Sequence, residues 1–229
     1  MLVLLSALLV IVPVPVLSVE ALTVRPLQPD YRFNPDQSVT LRVCFNWSCS
    51  NTEDLTFSQA ELAAVARQMS LCKGNRLHDR LQRARIGVWQ MEKLAQKHLP
   101  VLSNDRAIND WDEHANGRTD CVDNATNTTN FLHVLEDLEL LPGWSVTEPR
   151  VRDRFDFGLV HWTAVLTDEN NSQPWSVDSW FRPHGHLPYV MPLSDWSKSV
   201  KGWEPPFDAQ NPYPSYVDEL CPSVKLSQM

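Results

Sequence analysis

Gly117-Arg118-Thr119-Asp120-Cys121-Val122-Asp123-Asn124-Ala125-Thr126-Asn127-Thr128-Thr129-Asn130-Phe131-Leu132 is the stretch on which the fold turns. Apolar residues at Ala125, Leu132, Leu135, Leu138 and Leu141 recur at helical spacing, and Pro142-Gly143 ends the pattern. A loop therefore runs into a helix whose first turn carries Cys121, with Thr119 or Asp120 as its cap. The unpaired N–H groups and partial positive charge of a helix start lower a thiol's pKa and favour the nucleophilic thiolate. Asn and Thr crowd the first two turns although both are mediocre helix formers. Local rules broken beside a candidate nucleophile point to function.

Length and charge bound what lies around this stretch. The chain has 229 residues and a formal net charge of −8, with seven glycines and seventeen prolines. No Lys/Arg-rich run or basic helix face is present, which argues against a nucleic acid partner, and no Gly-rich loop could cradle phosphate. Residues 1–21 read as a signal peptide: an apolar run to Ser18, broken by Pro13 and Pro15, then Val19-Glu20-Ala21. A membrane anchor is the alternative, but the uninterrupted apolar length falls short of the roughly 20 residues a spanning helix needs, so no stable span is expected. Export is the expected localisation, periplasmic or secreted.

Five cysteines occur, at positions 44, 49, 72, 121 and 221. With Cys121 kept as a thiol the other four allow three pairings; Cys44–Cys49 with Cys72–Cys221 is the first expectation, and four reduced thiols in a cytoplasmic protein is its alternative.

Residues 22–57 form an extended and strand-containing segment, and 58–229 the main domain. Leu22–Asp36, with three prolines, should have little regular structure, whereas Ser38–Phe45 alternates as a strand. Ser58-Gln59-Ala60-Glu61 is a capping box opening a helix through Leu71, with Leu62, Val65, Ala66 and Met69 facing the core. A second helix spans Arg76 to His98, weakened in the middle by Gly87. A long polar loop, Leu99 to Gly117, then delivers the chain to Cys121. Strands follow at Phe155–Leu166 and Trp175–Phe181, before a tail rich in Pro and Trp. Helices first and strands later argue for an α+β fold.

A thiol nucleophile needs a base within hydrogen-bond reach, and a third group to hold the base. His78, His98 and His133 lie on polar helix faces, and His114 lies in the polar loop. His184 and His186 flank Gly185 without a partner at metal-ligand spacing, so no metal is expected there. His161 differs, because it sits in the β-prone run Leu159–Leu166, while Asp178 sits in Trp175–Phe181. Turn-forming residues 167–174 separate the two runs. An antiparallel hairpin centred between Glu169 and Asn170 sets His161 directly opposite Asp178 on one face. A one-residue slip would send one of them to the other face.

Cys121 at a helix start, His161 on a strand forty positions on and Asp178 on the next strand resemble the transglutaminase-like branch of the papain-like cysteine enzymes. The blocks Thr119–Asp123, Val160–Val165 and Val177–Phe181 are similar to those of bacterial proteins with this domain. The resemblance covers about Leu55 to Trp196. It implies a papain-like α+β fold with the nucleophile helix packed on an antiparallel sheet, and a Cys121-His161-Asp178 triad that needs no cofactor. It does not fix the reaction. Loop residues 112–123 do not make a convincing calcium site, because His114 and the non-Glu last position spoil the pattern.

The chemistry expected is thiol acyl transfer through a thioester, on a peptide or protein substrate that could be cell-wall peptide. The backbone N–H of Cys121 or Val122 is the natural oxyanion donor, with Trp111 and Asn109 as candidates for a second. Trp162 and Trp180 are expected to pack the core. The competing reading is a non-catalytic binding module that keeps the fold and uses a Trp-rich surface. Sequons at Asn46, Asn124, Asn127 and Asn170 are read as chance, two of them falling inside the nucleophile helix.

Overall fold

The structure, a computed structural model, describes residues 29–109, 115–152 and 160–198. These form an α+β arrangement of two antiparallel sheets and four helices. The three-stranded sheet is β1 (Tyr31–Phe33), β2 (Val39–Phe45) and β3 (Asn51–Phe57), with β2 central. The four-stranded sheet runs in sequence order through β4 (Trp144–Arg152), β5 (His161–Asp168), β6 (Gln173–Asp178) and β7 (Tyr189–Pro192). The helices are α1 (Gln59–Met69), α2 (Leu77–His98), α3 (Cys121–Asp137) and the single turn α4 (Leu193–Trp196). No helix among the described residues is long and apolar enough to cross a membrane.

Helix α1 starts at the expected capping box: Ser58 accepts from the Glu61 N–H, and the Glu61 carboxylate accepts from the Ser58 N–H. Leu62, Val65 and Met69 are buried as read, with Ala66 only partly so. Gly87 is not a weak point of α2. A Cβ there would come within 2.7 Å of Leu135 on α3 and 3.0 Å of Met69 on α1, so the missing side chain is what lets three helices meet.

Helix α3 touches both sheets and α2, and its Asn and Thr residues explain themselves in that position. Strand β1 ends its pairing with β2 at Leu41, and among the described residues no strand continues along the β2 edge beyond it. The Asn127 amide accepts from Cys44 N at 2.7 Å and donates to Cys44 O at 2.8 Å, as a strand's own peptide group would. Asn130 donates to Arg42 O and accepts from Asp30 N. These side chains complete a sheet edge rather than weaken a helix. Asn124 and Asn127 are 5% and 3% exposed, so neither sequon can carry a glycan in this fold.

Several elements differ from expectation, β7 and α4 among them, since both lie in the stretch read as a Pro- and Trp-rich tail. The lead-in contains β1, whose three residues are too few to show a pattern. The helix from Cys121 stops at Asp137 rather than running to Leu141, because Glu139 turns left-handed at φ 57°. Strand β4 was not anticipated at all: Pro149 interrupts it, and the pairing with β5 shifts between Thr147 and Arg150. Hydrophobic residues from both sheets and α1 to α3 form one cluster.

Candidate active site

Asp120 is the N-cap of α3, accepting from Asp123 N at 2.8 Å, and Asp123 accepts in return from Asp120 N at 3.1 Å. Thr119, the alternative cap, instead gives its N–H and hydroxyl to Asp105 Oδ1, both at 2.8 Å. Cys121 is thus the first helical residue, half-buried and carrying a thiol. Its Sγ lies 3.9 Å from the carbonyl oxygen of Val160, the residue before His161. The next amide, that of Val122, lies in the first turn, where no intrahelical carbonyl is within reach.

His161 opens β5 and Asp178 closes β6. His161 Nε2 lies 2.8 Å from Asp178 Oδ2, with the two side chains 3% and 2% exposed. The pairing that produces this contact is not the expected one. The turn is centred between Asn170 and Asn171, so Ala164 faces Val177, and His161 and Asp178 are diagonal rather than direct neighbours. An offset of two residues keeps every side chain on its face, which is why the contact survives. A carboxylate accepts, so the ring hydrogen sits on Nε2 and Nδ1 is the basic nitrogen.

Around this pair lie groups the sequence did not announce. Trp196 donates Nε1–H to Asp178 Oδ2 at 2.8 Å, and Trp180 N donates to Oδ1 at 3.3 Å. The rings of Trp180, Phe181 and Trp196 lie 4.7, 5.2 and 5.7 Å from that of His161. Trp180 is therefore a wall of the site and not only core filling; it lies past the end of β6, where strand alternation no longer applies. The β4 bulge sets Arg152 opposite His161, where an unbroken register would have set the exposed Val151. The Arg152 guanidinium stacks 4.8 Å over Trp196 and donates to Trp196 O at 2.8 Å. No spacing rule links residues 152 and 196 to Cys121, His161 and Asp178, but the Pro149 interruption marks the bulge that aims the first of them.

A buried network joins the acid strand to the helix tip. Ser179, next to Asp178, donates to Asn124 Oδ1 at 3.0 Å and lies 3.0 Å from Thr128 Oγ1. Asn124 donates to Thr119 Oγ1 and Asp120 O, both at 2.9 Å. Asn109 spends its amide hydrogens on Asp105 Oδ1 and Thr119 O, which makes it a strut for the loop instead of an oxyanion donor. Trp111 lies outside the described residues. Burial pushes Asp105 up to about 6, and burial together with the charge of Asp120 pushes Asp123 up to about 7. Burial likewise raises Glu92 to about 8 and lowers His184 to about 3.

No protein-family model, curated protein or solved structure matches the chain.

The site's chemistry is therefore read from its own groups. A thiol at a helix start, an imidazole on the residue after the carbonyl that the thiol approaches, and a carboxylate bonded to that imidazole are groups that can move one proton and form one covalent bond. Among the described residues one side-chain cluster has the spacing of a cation site. Cys44, Cys49 and Asp123 cluster within 4.8 Å, but the two sulfurs form a disulfide, as expected, and cannot act as thiolates. Asp120 and Asp123 are filled by N–H donors. Cys72 is disulfide-bonded too, and its expected partner Cys221 lies outside the described residues.

Proposed function

We propose that this chain is a thiol hydrolase or acyltransferase of the transglutaminase-like, papain-like type, acting on peptide or other amide bonds through Cys121, His161 and Asp178. The observation that carries the proposal is the buried 2.8 Å contact between His161 and Asp178, one residue along the strand from the carbonyl that Cys121 Sγ approaches. Nδ1 of His161 takes the thiol proton and the thiolate adds to the substrate carbonyl. The developing oxyanion lies toward the helix start, where the Val122 N–H and the helix dipole favour negative charge. The imidazolium returns its proton to the leaving amine, and a thioester remains on Cys121. Water resolves it in a hydrolase, an amine in an acyltransferase. Asp178 holds the ring and stabilises its charged form, and Trp196 and Trp180 hold Asp178.

The disulfides support export to an oxidising compartment. The binding-module reading rests on a Trp-rich surface, yet Trp89, Trp144, Trp175, Trp180 and Trp196 are all buried.

The test is the rate at which iodoacetamide modifies Cys121, followed by peptide mass spectrometry from pH 5 to 10. Rapid modification at pH 6, falling at least about tenfold in His161→Ala, is expected for a thiolate paired with an imidazolium. An activated ester should also leave an acyl group on Cys121. A wild-type rate equal to that of a model thiol at every pH, with no acyl adduct, overturns the proposal.

A further inference from the structure

Strand β2 runs into a tight loop closed by the Cys44–Cys49 bridge, whose Cα atoms are 4.6 Å apart. Asn46, Trp47, Ser48 and Cys49 stand in succession at φ 62°, 68°, 51° and 56°. Four consecutive residues with side chains in the left-handed region are rare, since each crowds its Cβ against backbone. Such a turn points successive N–H groups the same way, and here all of them reach the segment that carries Cys121. Trp47 N donates to Asp123 Oδ2 at 2.9 Å and Cys49 N to Asp123 Oδ1 at 2.6 Å. Ser48 gives its N–H and hydroxyl to Asp120 Oδ2 at 3.1 and 3.2 Å. Asn46 N donates to Arg118 O at 2.7 Å, and the Asn46 side chain accepts from Gly117 N at 2.8 Å. Both carboxylates of the α3 cap, and the two residues at the end of the loop before it, are thus gripped by one disulfide-closed turn.

Resting on the reading of Cys121 as the nucleophile, we propose that the Cys44–Cys49 loop is the positioning element of its helix tip, and that opening the bridge switches the site off. The capping box alone ties Asp120 to Asp123; the loop adds the donors that fix both in space against the β2 end of the molecule. With the bridge open, nothing covalent holds residues 46–49 in the left-handed turn, and their N–H groups leave the two carboxylates. The cap then loses its anchor, and Cys121 its fixed place against the Val160 carbonyl that precedes His161. An external dithiol opens the bridge by thiolate attack on one sulfur. The S–S bond breaks and a mixed disulfide forms, and the second thiol of the reagent displaces the other cysteine. The reagent ends as a cyclic disulfide, and Cys44 and Cys49 end as thiols with the two protons it gave up.

The experiment compares Cys121 alkylation by iodoacetamide in wild type and in the Cys44→Ser/Cys49→Ser variant from pH 5 to 10, with circular dichroism to confirm folding. The variant should react at least about tenfold more slowly at pH 6 and equally fast at pH 9.5, its midpoint moving toward the 8.5 of an ordinary cysteine. A purely structural loop would not move the midpoint. Equal rates at pH 6 overturn the inference while leaving the functional proposal intact, whereas slow, model-thiol behaviour in wild type overturns the functional proposal itself. Where the variant does not fold, wild type treated with dithiothreitol and then reoxidised replaces it. Peptide mass spectrometry follows the Cys44–Cys49 and Cys72 bridges separately through the titration; the pH 6 rate must fall and recover with the first, and a rate that is indifferent to it or follows Cys72 instead overturns the inference.

Discussion

One oxygen of Asp178 accepts from both the imidazole of His161 and the indole of Trp196. Trp196→Phe keeps most of the ring surface beside His161 and removes the second donor. A hydrogen bond to a charged group contributes roughly 1.5–3 kcal/mol, so Cys121 alkylation at pH 6 should fall by about tenfold. An unchanged rate would show that the indole only fills space. Asn127 gives a stability counterpart. Asn127→Ala strips the partner from both the N–H and the C=O of Cys44, two buried groups at about 1–3 kcal/mol each, and a drop of about 3 kcal/mol in urea unfolding is expected. Cys121, His161 and Asp178 stand out in the sequence as candidates because each lies in a recognisable local pattern, and the contact between the last two is present in the structure. Trp196 could not, because its role consists of contacts with Arg152, His161 and Asp178, eighteen or more positions earlier, and Trp in a Pro-rich region reads equally well as packing.

At the scale of elements, a hairpin turn and a bulge aim the site. The turn chemistry between β5 and β6 was legible, and with it the common face of His161 and Asp178; its exact centre was not, since Glu169 to Ser172 are all acceptable turn residues. The error was an even number of positions, and faces repeat every two. The end of this hairpin is clamped to α2, where Arg80 donates to Asp168 at 2.9 and 2.6 Å and to Gly143 O at 2.9 Å. The Arg80 guanidinium holds the Asp168 carboxyl down at about 2. A carboxyl whose folded pKa lies below its unfolded value adds stability that is complete above the unfolded pKa, near 3.9, and is lost as pH falls toward 2. Asp168→Asn leaves a buried guanidinium without its counter-charge and should cost about 3–5 kcal/mol near pH 7 in chemical denaturation. A cost below about 1 kcal/mol would mean that the pair is a surface-like contact.

Over the whole molecule, the buried carboxyls set how stability follows pH. Glu92 on α2 accepts from Gly185 N at 2.8 Å, tying that helix to the β6–β7 connection, and burial raises it to about 8. The native state therefore holds this proton more tightly than the unfolded chain does. Stability should decline as pH rises from about 4.5 to about 8, at no more than about 1.4 kcal/mol per pH unit from this group. Asp105, raised to about 6, acts with the same sign over a lower window. Thermal melts of Glu92→Gln between pH 5 and 8 should be flatter than those of wild type, and parallel curves would dismiss the effect. The sequence by itself determined what depends on neighbours along the chain: the capping box of α1, the helix beginning at Cys121, the presence of strand β2 and the common face of two residues across a turn. Only the tertiary structure decided how β1 and β4 pair, why Asn127 belongs in a helix, and which loop grips the Cys121 helix. Those features are contacts between segments that are distant in sequence. Helical and strand periodicity record which way a side chain points, and they carry no information about which distant backbone group it will meet.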